Sequence, residues 1–186
     1  MAFLHQRQRK RRIIAVVAVA ALAIAVLADR SGLLLHQGDD RSRYDTRTFA
    51  VVQVISGDTL EIDAPDGNRP TTRVRLWGIT APANAQPERG RPDPEPLADE
   101  AAAFVREQVG DRPVRLETES HRVRNRDGEL LAHVYVDDHV SLNAQLLSAG
   151  LASVNARWSH DQLERYAEHE AEARAAGRGI WADASR

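Results

Sequence analysis

The 186 residues contain no cysteine, which excludes a disulfide scaffold, thiolate zinc or iron–sulfur sites, a cysteine nucleophile and a lipid-modified amino-terminal cysteine. Any metal must be held by oxygen or imidazole. Lysine occurs once, so positive charge is almost entirely arginine. A GC-rich coding composition accounts for that bias; phosphate recognition is the alternative use of it. Acid is missing from residues 1–28, where Arg7, Arg9, Lys10, Arg11 and Arg12 supply five of the 25 basic residues. The overall formal charge of −2 therefore hides an asymmetry: beyond residue 28, 20 basic residues face 27 acidic ones, a net of −7. Long-range attraction to nucleic acid is weakened, while a local basic groove is still permitted. With 42% hydrophobic and 28% charged residues, the chain reads as one globular domain plus extra segments; collagen-like, coiled-coil-only and wholly disordered readings are excluded.

After the basic cluster of residues 1–12, Ile13 to Ala28 runs sixteen residues without a polar side chain. This predicts a hydrophobic helix, borderline in length for a bilayer span, read as a signal anchor. Val26-Leu27-Ala28 would also suit the end of a cleaved signal peptide, leaving the remainder secreted. Both readings export the rest, because the basic cluster holds the amino end in the cytoplasm. The expected location is the inner cell membrane, single-pass, with the domain outside. Residues 29–48 mix charges, glycine and Leu33-Leu34-Leu35 without a strong period and read as a linker.

From Phe49 the pattern changes to short β-rich runs between turn residues. Strands are expected at Phe49–Ile55, Thr59–Ile62, Thr72–Trp77, Val114–Thr118 and Leu131–Val136. Ser56-Gly57, Pro65 to Asn68 and Asp127-Gly128 supply turns. In the third strand Val74 and Leu76 alternate with Arg73, Arg75 and Trp77, an aliphatic face opposite one bearing guanidinium groups. Residues 82–96 hold five of the eight prolines and read as a mobile irregular loop. Helices are expected at Leu97–Val109, with Leu97, Ala101, Phe104, Val105 and Val109 on one side, at Ser141–Ala149 and at Asp161–Ala176; glycines follow each. The order is βββαββαα. The seven histidines, including His121, His133, His139, His160 and His169, show no HxH or HExxH spacing and read as surface or strand residues, not metal ligands.

Three segments in this order, Val54-Ile55-Ser56-Gly57-Asp58-Thr59, Val74-Arg75-Leu76-Trp77-Gly78-Ile79-Thr80-Ala81-Pro82 and Gly150-Leu151-Ala152, resemble the staphylococcal nuclease (thermonuclease-like) family. Residues 127–136, Asn143, Tyr166, Arg174 and Gly179-Ile180-Trp181 support it. The resemblance implies an α+β domain over residues 49–183, an OB-fold five-stranded barrel with three helices. It also implies calcium-dependent hydrolysis of phosphodiesters by two metal-binding aspartates, a glutamate base and two arginines.

Here Asp58 stands at the first metal aspartate and Arg75 at the first arginine. Thr80 replaces the second aspartate, Ala83 the glutamate and Glu129 the second arginine, while Ser56 replaces an aspartate common before the glycine. A general base is worth about 10²- to 10⁴-fold in rate and one preorganised charge-stabilising donor about 10²- to 10³-fold; Glu129 further brings an acid toward phosphate oxygens. The expected outcome is a catalytically impaired, membrane-tethered module that binds nucleic acid or another phosphate-containing ligand. Rescue by Glu88 as base, Arg126 as clamp, or Asp127 with Glu129 in a shifted metal site would instead give an active exported nuclease; an envelope protein-interaction module is the third reading. Trp158 is placed either to stack on a base or to pack on the last helix. Trp181 reads as a core anchor. Asp58 and Arg75 are alternatively a structural ion pair.

Overall fold

The computed structural model describes residues 36–87, 90–137, 141–157 and 159–182. The apolar segment 13–28, Glu88, His139 and Trp158 lie outside the described residues. Among the described residues no helix is long and apolar enough to cross a membrane. The chain divides into two units, residues 1–40 and 41–186. Of the first, only 36–40 are described, as the start of helix α1, His36–Tyr44.

Among the described residues eight strands follow, with three further helices: β1 Thr48–Phe49, β2 Val51–Ser56, β3 Thr59–Ile62, β4 Thr72–Leu76, β5 Ile79–Thr80, α2 Ala98–Val109, β6 Val114–Glu117, β7 Leu130–Tyr135, α3 Leu142–Ser148, β8 Ser153–Val154 and α4 Leu163–Ala175. A short 3₁₀ turn, Gly179–Trp181, comes last. Six strands form one sheet in the order β1-β6-β7-β4-β3-β2. β1 and β2 are the two halves of one extended segment broken at Ala50, yet they occupy opposite ends of that order, β1 on β6 and β2 on β3. The sheet must therefore curl, as an OB-fold sheet does. The expected α+β architecture stands, with the first strand split in two. β5 and β8 add a two-stranded ribbon that local sequence pattern did not reveal.

The strand periodicity has direct structural counterparts. In β4, Thr72, Val74 and Leu76 are buried while Arg73 is exposed and Arg75 half-buried, so the alternation sorts aliphatic from cationic side chains. Every residue of β7 is buried, because it lies between β4 and β6 and α3 packs on it. The core gathers Leu60, Ile62, Val74, Leu76, Val105, Leu116, Leu130, Val134, Leu142, Leu146 and Leu147. Trp77 departs from the expectation: it is buried instead of joining the arginine face, since the strand ends at Leu76 and the chain turns at Gly78, φ +77°.

Two glycine contacts set the packing distances. A Cβ on Gly57 would stand 2.5 Å from Ala101 Cβ and 2.8 Å from Ala81 Cβ, so α2 seats on the β2–β3 turn only because position 57 has no side chain. Gly150 (φ +70°) and Gly179 (φ +54°) bring two backbones into contact, and the Ile180 N–H donates to Gly150 O at 2.8 Å. The GLA and GIW segments of the sequence are thus two sides of one joint.

The linker reading of residues 29–48 needs correction from residue 36 onward. Residues 36–44 are helical, Tyr44 is fully buried with its hydroxyl 3.0 Å from Thr72 Oγ1, and the Thr46 N–H donates to Leu116 O. One aromatic ring and a few polar contacts supply this docking, so no apolar period announces it.

Candidate active site

Asp58 ends the turn between β2 and β3, and its carboxylate is nearly inaccessible, 5% exposed. Oδ1 accepts from Ser56 Oγ at 3.0 Å and Thr59 Oγ1 at 3.2 Å; Oδ2 accepts from the Ala81 N–H at 2.9 Å. Arg75 Nη2 completes the set at 2.7 Å from Oδ2. Thr59 and Arg75 are register partners on β3 and β4, so the antiparallel ladder delivers the guanidinium to the carboxylate. Ser56, standing where family members commonly carry an aspartate, contributes a hydroxyl donor to Asp58.

Arg75 also borders a cleft of about 280 Å³, whose walls include Trp77, Gly78, Arg122, Asn125, Asp127, Glu129 and Asn155. Asn143 holds its floor: buried on α3, it donates through Nδ2 to Trp77 O at 2.8 Å and accepts the Val134 N–H on Oδ1 at 3.0 Å, joining the end of β4 to β7. Asn125 organises the far wall, accepting the Asp127 and Glu129 N–H groups on Oδ1 at 2.9 and 3.0 Å.

The replaced positions keep their replaced character. Thr80 is exposed on the β5–β8 ribbon, with Oγ1 accepting from Asn155 Nδ2 at 3.2 Å. Ala83 offers no acid of its own, but its N–H donates to Glu95 Oε2 at 2.9 Å. Glu129 faces the cleft with Oε2 hydrogen-bonded by Asn125 Nδ2 at 2.8 Å and Oε1 3.8 Å from Arg73 Nη1. Of the substitutes expected from sequence, Asp127 lines the cleft and exposed Arg126 does not; the arginine present there besides Arg75 is Arg122. Arg122, Asn125, Asn155 and Glu95 escaped sequence reasoning, since none sits at a family motif position and only the folded loops bring them near.

Nucleases of this family generally use calcium, which takes six to eight oxygen ligands. The residues here do not fit it. Of the two metal-aspartate positions only Asp58 carries a carboxylate, and both of its oxygens are already committed to three hydrogen bonds and a guanidinium. Asp58, Asp127 and Glu129 do not converge into one group of ligand atoms. Among the described residues, the group that does so is Glu119, His133 and His160.

A curled sheet of OB type with helices packed on it, and an aspartate–arginine pair at the head of a cleft, define a nuclease-type domain. Residues 73–183 match the family described as staphylococcal nuclease homologue, and the chain belongs to that family. It is 28% identical over 172 residues to a thermonuclease of Staphylococcus hyicus, covering 92% of this chain and 95% of that one. It is 31% identical over 134 residues to an uncharacterised endonuclease of Escherichia coli, covering 72% and 76%. A third relative, the staphylococcal nuclease domain-containing protein 1 of Drosophila melanogaster, is 32% identical over 142 residues, covering 73% of this chain and 15% of the other.

Proposed function

We propose that this chain is a thermonuclease-like module, held outside a cell membrane by residues 13–28, that binds a phosphate-bearing ligand in the Arg75 cleft and hydrolyses phosphodiesters poorly. The observation that carries this reading is the closed coordination of Asp58: its carboxylate is consumed by Arg75, Ala81, Ser56 and Thr59, and positions 80 and 83 supply no second acid. Binding is supported by Arg75 and Arg122 in the cleft walls. The membrane tether rests on the apolar run and the basic cluster before it.

Loss of a base and of a charge-stabilising donor within one catalytic unit is not additive. Each alone is worth at least about 10²-fold. The test is cleavage of single-stranded DNA and RNA by the full chain in calcium, magnesium or manganese, beside Asp58→Ala. Rapid metal-dependent cutting abolished by that change refutes the reading. The triple reversion Thr80→Asp, Ala83→Glu, Glu129→Arg is expected to raise cleavage by at least about 10²-fold.

A second reading, an active nuclease with a rearranged site, is favoured by Glu95, whose carboxylate sits on the Ala83 amide, next to the position that lost the base. It requires that Glu95→Gln abolish cutting.

A further inference from the structure

Glu119 follows β6, His133 lies in the middle of β7, and His160 stands in the segment leading into α4. None of them lines the cleft, and no sequence spacing links them. The fold nevertheless brings one ligand atom from each to within 4.8 Å of the other two. All three are largely withdrawn from solvent: His133 and Glu119 side chains are 4% and 10% exposed, His160 6%.

His133 is oriented by its surroundings. Its Nδ1 lies 2.8 Å from Tyr166 Oη, which lies 3.1 Å from Ser141 Oγ, the residue that caps α3. This leaves Nε2 directed at Glu119 Oε1, 3.2 Å away. Tyr166 thus holds one ring nitrogen and Glu119 the other; a ring fixed through one nitrogen by an outer hydrogen-bond partner is how metal-ligating histidines are commonly held. His160 supplies the independent observation. Its ring is clamped by Trp77, His133 and Tyr166, yet neither of its ring nitrogens has a hydrogen-bond partner among the described residues. Burying an imidazole with both nitrogens unused is costly; a metal bond would use one.

We infer that Glu119, His133 and His160 form a site for one divalent transition-metal ion of the zinc class, separate from the nuclease-type cleft. Two imidazoles and a carboxylate suit zinc and its neighbours rather than calcium or magnesium. Zinc bonds of about 2.0–2.1 Å place tetrahedral ligand atoms about 3.4 Å apart, so the side chains would close in by about an ångström. His121, half-exposed with Nδ1 4.0 Å from Glu119 Oε2, stands at the open side, where it or water would complete the tetrahedron. Such an ion would fasten the segment entering α4 to β7 and to the end of β6, and through His160, which fills the space above Gly78, to the cleft wall. The inference does not depend on whether the cleft cuts.

The experiment is stoichiometric zinc binding to the full chain, stripped with EDTA and titrated against a chromogenic chelator, with thermal melting alongside. One equivalent is expected, with a melting temperature raised by a few degrees. Glu119→Gln and His160→Gln should each weaken binding by at least about 10-fold, and Tyr166→Phe, a positioning residue, by about 10-fold. Asp58→Ala should keep the full equivalent. Cobalt(II) should give the visible absorption of a tetrahedral site, lost in His160→Gln. Should the histidine variant fold poorly by circular dichroism, Glu119→Gln decides alone. Absence of stoichiometric binding, or binding lost in Asp58→Ala but kept in His160→Gln and Glu119→Gln, overturns the inference.

Discussion

Arg75 Nη2 on β4 stands 2.7 Å from Asp58 Oδ2 in the β2–β3 turn, and the same oxygen accepts the Ala81 N–H. The pair is structural as much as chemical, because it ties the β2–β3 turn to β4 and to the segment after β5. Asp58→Ala should destabilise the domain by about 2–4 kcal/mol, since it leaves a partly buried guanidinium and a buried amide unpaired. Urea denaturation checks this; a change below about 0.5 kcal/mol would mean that the carboxylate is not engaged as described.

Gly57 is constrained by space rather than by backbone angle. Gly57→Ala would press its methyl against Ala101 and Ala81 and is expected to cost about 1–3 kcal/mol. Ala101→Gly in the same chain should recover part of that loss, and a double-mutant cycle by chemical denaturation should report coupling between the two sites.

Asn143 satisfies two buried backbone groups at once, Val134 N–H and Trp77 C=O. Asn143→Ala should cost about 2–4 kcal/mol. Hydrogen exchange should quicken at the Val134 amide more than at β2–β3 amides, which discriminates a local joint from general weakening.

Stability should fall on acidification in metal-free protein with chelator present. His133 and His160 are held below the ordinary histidine value of about 6.5 chiefly by burial, and His160, facing His133, is pushed down to about 4. Glu119, Asp161 and His121 are the other titratable groups acting on His160. The unfolded chain therefore takes up protons before the folded one does. The histidine contribution is intact above pH 6.5 and declines toward pH 4. His160→Gln should flatten the curve of unfolding midpoint against pH in that window; an unchanged slope would count against the burial argument.

Glu129 places a carboxylate in the wall of the cleft that Arg75 also lines. Glu129→Gln should tighten oligonucleotide binding several-fold by removing like-sign repulsion. Arg122→Ala should weaken binding and reduce the magnitude of the salt slope by about one. Fluorescence titration at two salt concentrations measures both.

Much of the sheet was legible because its signals are local. The β4 alternation, the Pro65–Asn68 turn and the glycines after α2, α3 and α4 each encode their structure within a few residues. Asp58 and Arg75 were legible as well, through motifs short enough to read along the chain. Arg122, Asn125 and Glu95 were not, because loops bring them to the cleft from positions without any fixed spacing to the motifs. Docking of residues 43–46 was hidden for a related reason, since it rests on one aromatic ring, Tyr44, and on polar contacts of Arg43 and Thr46, which form no apolar period.

The amino-acid order by itself determined the α+β class, the family, and which side chains stand at positions 58, 75, 80, 83 and 129, since identity and short-range periodicity are properties of the string. Tertiary structure alone decided that the Asp58 carboxylate is fully engaged, that Trp77 turns inward, and that Glu119, His133 and His160 meet. Those outcomes depend on closing loops of tens of residues around a curled sheet, and contacts across such distances leave no trace in local spacing.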